Sequence, residues 1–472
     1  MLEGLEVSIL SLKDVLVDNE NKRIDSEYFK KQFLRFFQNV PNLRPLGSLA
    51  KDGYRVVYEN TKVIDKEEAQ EKDFPVFLQA TDLETPFIKT DNLFYVDNVD
   101  WERYPKGRIN KGEILIEVKG KIDKVAIVPD DFHEKTLVTG SLFKLTVNEK
   151  ISKNILLTYL ISKYGVAFKD RYKTNLLISF VSKPDLYRIP VPSFSKEFEN
   201  KIDDLYTKIF SSQKNSKQLY SQAEKSLLET LGLKDFQPST EAVNVKLLKE
   251  SFLSSGRLDA EYYQPKYEDY INLIKNNNLG FDRLENGCNL KDKNFNPKDD
   301  VNYKYIELSN IGKSGEITGN TFDLGKELPS RARRLVNAGD VIISSIEGSL
   351  ESCALVTEQY DKSICSTGFY VINSDKTNSE TLLVLFKSEL MQNILKQNCS
   401  GTILTAINKN EFLNIPIPII DKSIQQQIAD LIQESFILKT KSEKLLETAK
   451  RAVEIAIEES EEKAMVFINE NS

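Results

Sequence analysis

Few residues in this chain have the type and spacing for catalysis. The most suggestive run is Glu113-Ile114-Leu115-Ile116-Glu117-Val118-Lys119. An acid at a strand start followed by Glu-x-Lys is the kind of set with which nucleases hold a divalent cation and place a lysine. The one histidine, His133, sits in the polar stretch Asp130-Asp131-Phe132-His133-Glu134, where a surface loop is the ordinary reading. The cysteines Cys288, Cys353, Cys365 and Cys399 have no paired or zinc-like spacing and read as reduced thiols. There is no Gly-x-Gly-x-x-Gly, no Walker lysine and no Asn-Pro-Pro-Tyr run, so no nucleotide, cofactor or metal is expected.

The elements that must position any such site are organised by an internal repeat. Ile415-Pro416-Ile417-Pro418 precedes a long run with apolar or small residues at Ile428, Leu431, Ser435, Leu438, Ser442, Leu445, Ala449, Ala452 and Ala456. Ile189-Pro190-Val191-Pro192 precedes another, with Ile202, Leu205, Ile209, Ser212, Ser216, Leu219, Ala223 and Ser226. Steps of three and four describe a helix buried along one narrow seam, and the prolines end whatever comes before it. The two copies keep a constant offset of 226 residues, Pro190 answering Pro416 and Leu219 answering Leu445.

The repeat extends upstream. Arg23-Ile24-Asp25-Ser26-Glu27-Tyr28-Phe29 is answered by Arg257-Leu258-Asp259-Ala260-Glu261-Tyr262-Tyr263. The strand-like run Phe77 to Leu83 is answered by Tyr305 to Ile311, Lys111-Gly112-Glu113 by Ala338-Gly339-Asp340, and Thr139-Gly140 by Thr367-Gly368. The same comparison tests the nuclease-like run. Glu117 falls on Ser345 and Lys119 on Glu347, so the second copy lacks the set, while Glu113 and Asp340 share a turn position and hence a structural role.

A chain of 472 residues exceeds what one core supports. With 40% apolar and 29% charged residues it has ordinary globular composition. Without a signal-like start or an 18-residue apolar run, it is expected to be cytoplasmic and to use no membrane. The net charge of -7 argues mildly against nucleic acid, yet Trp101 to Val128 holds seven Lys/Arg against four Asp/Glu. The expected fold class is α/β: two similar mixed α/β domains and two long helices, packed antiparallel for preference, in an internal duplication with pseudo-twofold character. The first helix would run about 45 to 55 Å. The boundaries are a first domain at 1–195, helix at 196–233, second domain at 234–420, helix at 421–463 and a tail at 464–472, frayed for preference over a short partner-binding extension.

This layout resembles the specificity subunit (HsdS) of Type I restriction-modification enzymes and the related Type II specificity polypeptides. The resemblance covers nearly the whole chain. It rests on Leu186-Tyr187-Arg188-Ile189-Pro190-Val191-Pro192, on Phe412-Leu413-Asn414-Ile415-Pro416-Ile417-Pro418, on Gln425-Gln426-Gln427-Ile428-Ala429-Asp430-Leu431 with its heptads, and on Gly401-Thr402. The first copy departs from the pattern. It has no matching Gly-Thr, and Glu197-Phe198-Glu199-Asn200-Lys201 replaces the glutamine-rich helix start.

The resemblance implies a non-catalytic DNA-binding chain with two target recognition domains, each reading half of a split, asymmetric site in double-stranded DNA. The helices would set the gap and dock two methyltransferase (modification) subunits, with restriction subunits joining beyond. Candidate DNA contacts are Lys106, Arg108, Lys119, Lys121, Lys124, Lys313, Arg331, Arg333 and Arg334, with Asn296 and Gln79 as further base readers. A solvated basic face is the plain alternative. Seam residues are Ile202, Leu205, Ile209, Leu219, Ala223, Ile428, Leu431, Leu438, Leu445 and Ala449. Tyr206, Phe210, Tyr220, Ile432, Phe436 and Leu446 lie off the seam, either for partner docking or for packing on their own domains. The competing readings are a nuclease or methyltransferase of the Type II restriction class, and a duplicated coiled-coil adaptor that binds protein.

Overall fold

A computed structural model describes residues 7–472 apart from 18, 20–21, 65, 70–72, 91, 175–176, 235 and 402–404. Thr402, one of the motif positions above, therefore lies outside the described residues, as does part of the divergent loop 51–72. The chain divides into two compact units, 1–211 with 441–472, and 212–440. The boundary cuts both long helices, Lys196–Thr230 and Lys422–Glu458. Each unit is a mixed α/β domain together with segments of both helices.

The central strand explains the rest of each domain. In the first unit Ile114–Glu117 follows Gly112, whose φ of +78° makes the turn, and in the second Val341–Ser344 follows Gly339 at +88°. A side chain at either glycine would be strained in that left-handed conformation. Every residue of both strands is buried, because both faces are covered. Ile114 and Ile116 join the core shared with the helices, while Leu115 points into a second core on the opposite face. Val341 and Ile343 repeat the first role and Ile342 the second.

The sheets around these strands match. The first unit orders them Ala50–Tyr54, Leu142–Val147, Ile114–Glu117, Val125–Ile127; the second orders them Asn289–Leu290, Phe369–Asn373, Val341–Ser344, Cys353–Leu355. A second sheet holds a parallel pair in both units, Val76–Leu78 with Thr136–Val138 and Asn302–Ile306 with Ile364–Ser366. An antiparallel neighbour, Tyr95–Val96 or Thr321–Leu324, flanks each pair. The fourth strands differ. Val63–Ile64 extends the sheet beyond Tyr95–Val96, whereas Ala332–Leu335 extends it on the opposite edge, beside Ile364–Ser366.

Helix pairs close the domains. Lys153–Ile161 and Ser379–Lys387 are capped by Ser152 and Asn378; Lys163–Tyr172 and Glu389–Gln397 are capped by Ser162 and Ser388. The repeated Arg-x-Asp motif fastens the ends of the latter two. Arg23 grips Asp25 and donates to the carbonyls of Arg171 (2.8 Å) and Lys173 (3.2 Å). Arg257 grips Asp259 and donates to the carbonyls of Gln397 (3.4 Å) and Cys399 (2.9 Å). A guanidinium at a helix C-terminus satisfies carbonyls the helix leaves orphaned. The proline pairs also recur in one role: Arg44–Pro45 pairs with Pro190–Val191, and Phe281–Arg283 with Pro416–Pro418.

Within each unit the helix segments run antiparallel. In the first, Ser442 Oγ donates to the Ile209 carbonyl at 3.1 Å; in the second, Ser435 Oγ donates to the Ser216 carbonyl at 2.8 Å. Residue numbers at both contacts add to 651, so one register serves both. Ile202, Leu205, Ile209, Ala223, Ile428, Leu445 and Ala449 are buried as the seam requires, but Leu219, Leu431 and Leu438 are only partly so. The seam keeps its register around them, since Ser212, Ser216, Ser435 and Ser442 are buried too, and Leu227 and Ile432 are buried in the second unit's core.

The structure corrects the chain's end. The second long helix stops at Glu458, and Ser460 caps a further helix, Glu461–Asn471. Ala464 and Ile468 are fully buried in the first unit's core, so 464–472 is no frayed tail. Glu461 accepts from the backbone N–H of Ser195 at 3.0 Å. The sequence pattern had hidden this behind the acid-rich Glu458-Glu459-Ser460-Glu461-Glu462. The first helix ends earlier than expected, at Thr230, with Gly232 at φ +75° and the Leu233 N–H returning to the Leu228 carbonyl.

The departure at the first helix start preserves its role. Gln425 Oε1 accepts from the N–H of Asn378 (3.0 Å), and Glu199, its counterpart 226 residues earlier, accepts from the N–H of Ser152 (3.3 Å). Among the described residues no helix is long and apolar enough to cross a membrane.

Candidate nucleic-acid interface

The basic candidates lie at the edges and loops of the second sheets, except Lys119, Lys121 and Lys124, which follow the central strand of the first unit's shared sheet. In the first unit the helix Asn98–Arg103 and the turn Pro105–Gly107 deliver Lys106 and Arg108. Arg108 bridges to Leu137 of the parallel pair, which sets the backbone beside that sheet. Its guanidinium stacks over Trp101 (4.3 Å), donates to the Trp101 carbonyl (2.7 Å) and meets Glu102 at 3.1 Å. The buried Lys144 supports the segment from below, donating to the Arg108 carbonyl at 2.6 Å. Lys106 is exposed, its ammonium 5.1 Å from the Tyr54 ring.

Lys119 and Lys121 are exposed on the loop after the central strand, and Lys119 bridges to Phe180. Lys124 is turned inward and donates to the Ala80 carbonyl at 3.1 Å, which makes it a tie within the fold. The neighbouring Glu117 is buried, and burial pushes its carboxyl up from the usual range. Among the described residues no group of three or more His, Cys, Asp or Glu is placed to hold a metal ion.

In the second unit the edge strand Ala332–Leu335 carries the densest basic cluster. Arg331 is exposed at its start. Arg333 donates to Asn296 Oδ1 (3.2 Å), so these two candidates share one site. Arg334 donates to the Asp292 carbonyl and to Asn294 Oδ1 (2.6 Å), so it too ties the strand to the divergent loop 286–301. Lys313 is exposed in the tight loop Ile311–Ile317. Gln79 takes part in a capping turn with Asp82, as Glu307 does with Asn310.

The fold also gathers basic residues that no local density marks. Arg55 stacks on Phe180 (4.6 Å) and donates to the Gly140 carbonyl; Lys183 donates to the Gly53 carbonyl at 2.6 Å. Lys119 pairs through its backbone with Phe180, so two cations from separate segments meet at that residue, while the Lys183 ammonium lies over the Tyr187 ring (5.1 Å). Nothing in the linear sequence signals that meeting.

Of the six off-seam residues, Tyr206 and Ile432 belong to the interiors of their own units. Tyr206 also hydrogen-bonds Thr158 (3.1 Å). These two pack at home and are not docking residues. Phe210, Tyr220, Phe436 and Leu446 are partly buried against the same cores.

Comparison with known proteins places this geometry. Residues 283–449 match the family model for the Type I restriction modification DNA specificity domain. That segment spans both sheets of the second unit, its proline pair and most of the second long helix, the parts that the first unit repeats. No curated protein matches. Among solved structures, the S subunit of a Type I restriction-modification system from M. genitalium shares 13% identity over 90% of this chain and 96% of its own, with a TM-score of 0.40. The HsdS subunit from Thermoanaerobacter tengcongensis shares 13% over 89% and 97%, with a TM-score of 0.28. A chain from a study of complex assembly and conformational transition in the type I system shares 14% over 89% and 98%, with a TM-score of 0.29. At those scores the likenesses add no weight to the matched segment and the repeated architecture. Residues 283–449 are thus similar to a Type I restriction modification DNA specificity domain, and the first unit repeats the sheet and helix framework of that segment.

Proposed function

We propose that each unit reads one half of a bipartite, asymmetric DNA site, that the long helices fix the number of base pairs between halves, and that two methyltransferase subunits dock on the helical framework. The carrying observation is the pattern of likeness between the units: one sheet, the helix pairs and the helix register repeat, while the basic edges of the second sheets do not. A reader of two different half-sites needs one framework and two reading surfaces. Exposed Lys106, Lys119, Lys121 and Arg331 contact phosphate or base edges; Arg108, Arg333 and Arg334 hold the reading loops. In this reading the chain itself performs no chemistry, and modification and cleavage belong to its partners.

The test is selection of random duplexes by the chain together with a methyltransferase subunit, followed by sequencing. A bipartite motif with one fixed spacer is the expected result. No enrichment with the partner present would point instead to a protein-binding adaptor. Adding one heptad to both helices should lengthen the spacer by roughly 10 Å, about three base pairs, with the half-sites unchanged.

A further inference from the structure

The loop Ile311–Ile317 of the second unit is built around one carboxylate. Glu316 folds back over the turn, and a Cβ at residue 312 would lie 1.8 Å from its Oε1, so a side chain there would push the carboxylate aside. Gly315, at φ +79°, lets the turn lie flat on Leu383, where a Cβ would come within 2.4 Å. Glu316 Oε1 then pairs with Lys439 Nζ of the second long helix, both side chains largely buried at 13% and 21% exposure. Its other oxygen, Oε2, is buried without a hydrogen-bond partner. Burial pushes the Tyr220 hydroxyl up, and Glu316 is among the charges that add to this.

A carboxylate removed from water with one oxygen unsatisfied is costly, and apolar packing would hold the loop to the helix more cheaply. What an ion pair adds is geometry: it fixes one register between the surfaces it joins. The first unit meets the same need differently. Its matching hairpin, Leu83–Glu84 with Phe87–Ile88, sets the Phe87 ring edge-on to Phe210 of the first long helix, 5.6 Å apart. Ile88 stands where the second unit has Glu316, and Gln213 where it has Lys439, at offsets of 228 and 226.

We infer that the Glu316–Lys439 pair is a positioning brace that locks the second recognition domain to its own helix segment and thereby sets how strictly the chain measures spacer length. This rests on the function proposed above. The pair touches no base; it acts through the orientation of the sheet carrying Arg331.

Two measurements test it. The first needs no DNA. Spin labels at Lys326→Cys and Glu434→Cys, both exposed, report the distance between the recognition sheet and the helix; the native cysteines are buried and escape labelling. The parent should give a narrow distance distribution, Glu316→Gln and Lys439→Met broad ones, and the swapped pair Glu316→Lys with Lys439→Glu a narrow one again. A Glu316→Gln chain as narrow as the parent overturns the brace, as does a swapped chain that stays broad. The second repeats the duplex selection with Glu316→Gln. Expected is loss of the single spacer length, neighbouring lengths being accepted while both half-sites stay unchanged. Unchanged spacing, or an altered half-site, overturns the inference. If the parent selects no bipartite motif, the functional reading falls, while the distance measurement still decides the brace.

Discussion

The two units share one sheet in full, and the other in three strands of four. In the first unit the fourth strand, Val63–Ile64, comes from an insertion and lies on the edge away from Arg108. In the second, Ala332–Leu335 lies on the opposite edge and carries Arg333 and Arg334. The shared sheet is covered on both faces, so every residue of its central strand must be apolar or paired. The second sheet has an edge that only its own loops constrain. Duplicated domains diverge where packing releases them, and here that release coincides with the cationic surface.

The largest expected effect probes the shared part. Glu113 and Asp340 occupy one turn in the two units, each accepting from an asparagine N–H three residues earlier at 2.8 Å. Each also pairs with a lysine, Lys144 at 3.5 Å and Lys291 at 2.7 Å. Removing one partner of a buried pair costs about 3 to 5 kcal/mol, because the other charge is left stranded. Glu113→Ala should reach the top of that range, since Lys144 is 9% exposed; Asp340→Ala should fall below it, since Lys291 at 35% can turn to water. Urea unfolding of both variants measures the order, and a reversal would mean that the turn, and not the stranded lysine, dominates the cost.

A somewhat smaller effect separates the units by pH. Lys169 is fully buried in the first unit, where Leu395 stands in the second. Burial lowers its pKa from 10.5 to about 8, against the opposing pull of Asp123 and Glu117. The unfolded chain keeps this proton to about 10.5 and the folded chain only to about 8, so between those values the unfolded state binds more protons and stability rises with pH. Below 8 the lysine is charged in both states and its burial costs roughly 3 kcal/mol. Lys169→Leu should raise stability at pH 7, and its advantage should shrink as pH climbs through 8 to 10. Several buried tyrosines have raised pKa values and lower stability at high pH. The difference between parent and variant cancels them. An advantage constant across that range would refute the assignment.

The framework was legible in the sequence because burial on two faces leaves a periodic trace. The Gly-acid turns, the proline pairs and the seam from Ile202 to Ile209 all depend on residue type at fixed spacing. What escaped depended on tertiary meeting. Ala464-Met465-Val466-Phe467-Ile468 is an apolar run too short to carry a helical period, and only the core beneath Ala464 and Ile468 fixes it as a helix. Leu431 is only partly buried while Ile432 is fully buried, because the second unit's own core covers that side of the helix, a contact no heptad count contains. Tyr206 looked outward on a helical wheel, but the helix Lys153–Ile161 covers that side. Arg55 and Lys119 meet at Phe180 from separate segments, and no linear window contains them.

The smallest effect tests the divergent edge itself. Arg331 and Arg334 are three residues apart in the densest basic cluster, yet the fold treats them differently. Arg334 is spent on the Asp292 carbonyl and Asn294, so Arg334→Ala should lower stability by about 1 kcal/mol, the net worth of such hydrogen bonds. Its effect on DNA binding should follow from the loosened loop 286–301. Arg331 is exposed, so Arg331→Ala should leave the melting temperature unchanged and weaken DNA binding. If it reads a base edge, the loss is about 1 to 3 kcal/mol and confined to one position of one half-site; if it grips a phosphate, the loss is uniform across sequences and shrinks with added salt. Binding measured on duplexes varied in one half-site at a time, at two salt concentrations, separates the two. An Arg331→Ala chain that binds all of them as the parent does would move the reading surface off this edge, toward the loop around Lys313.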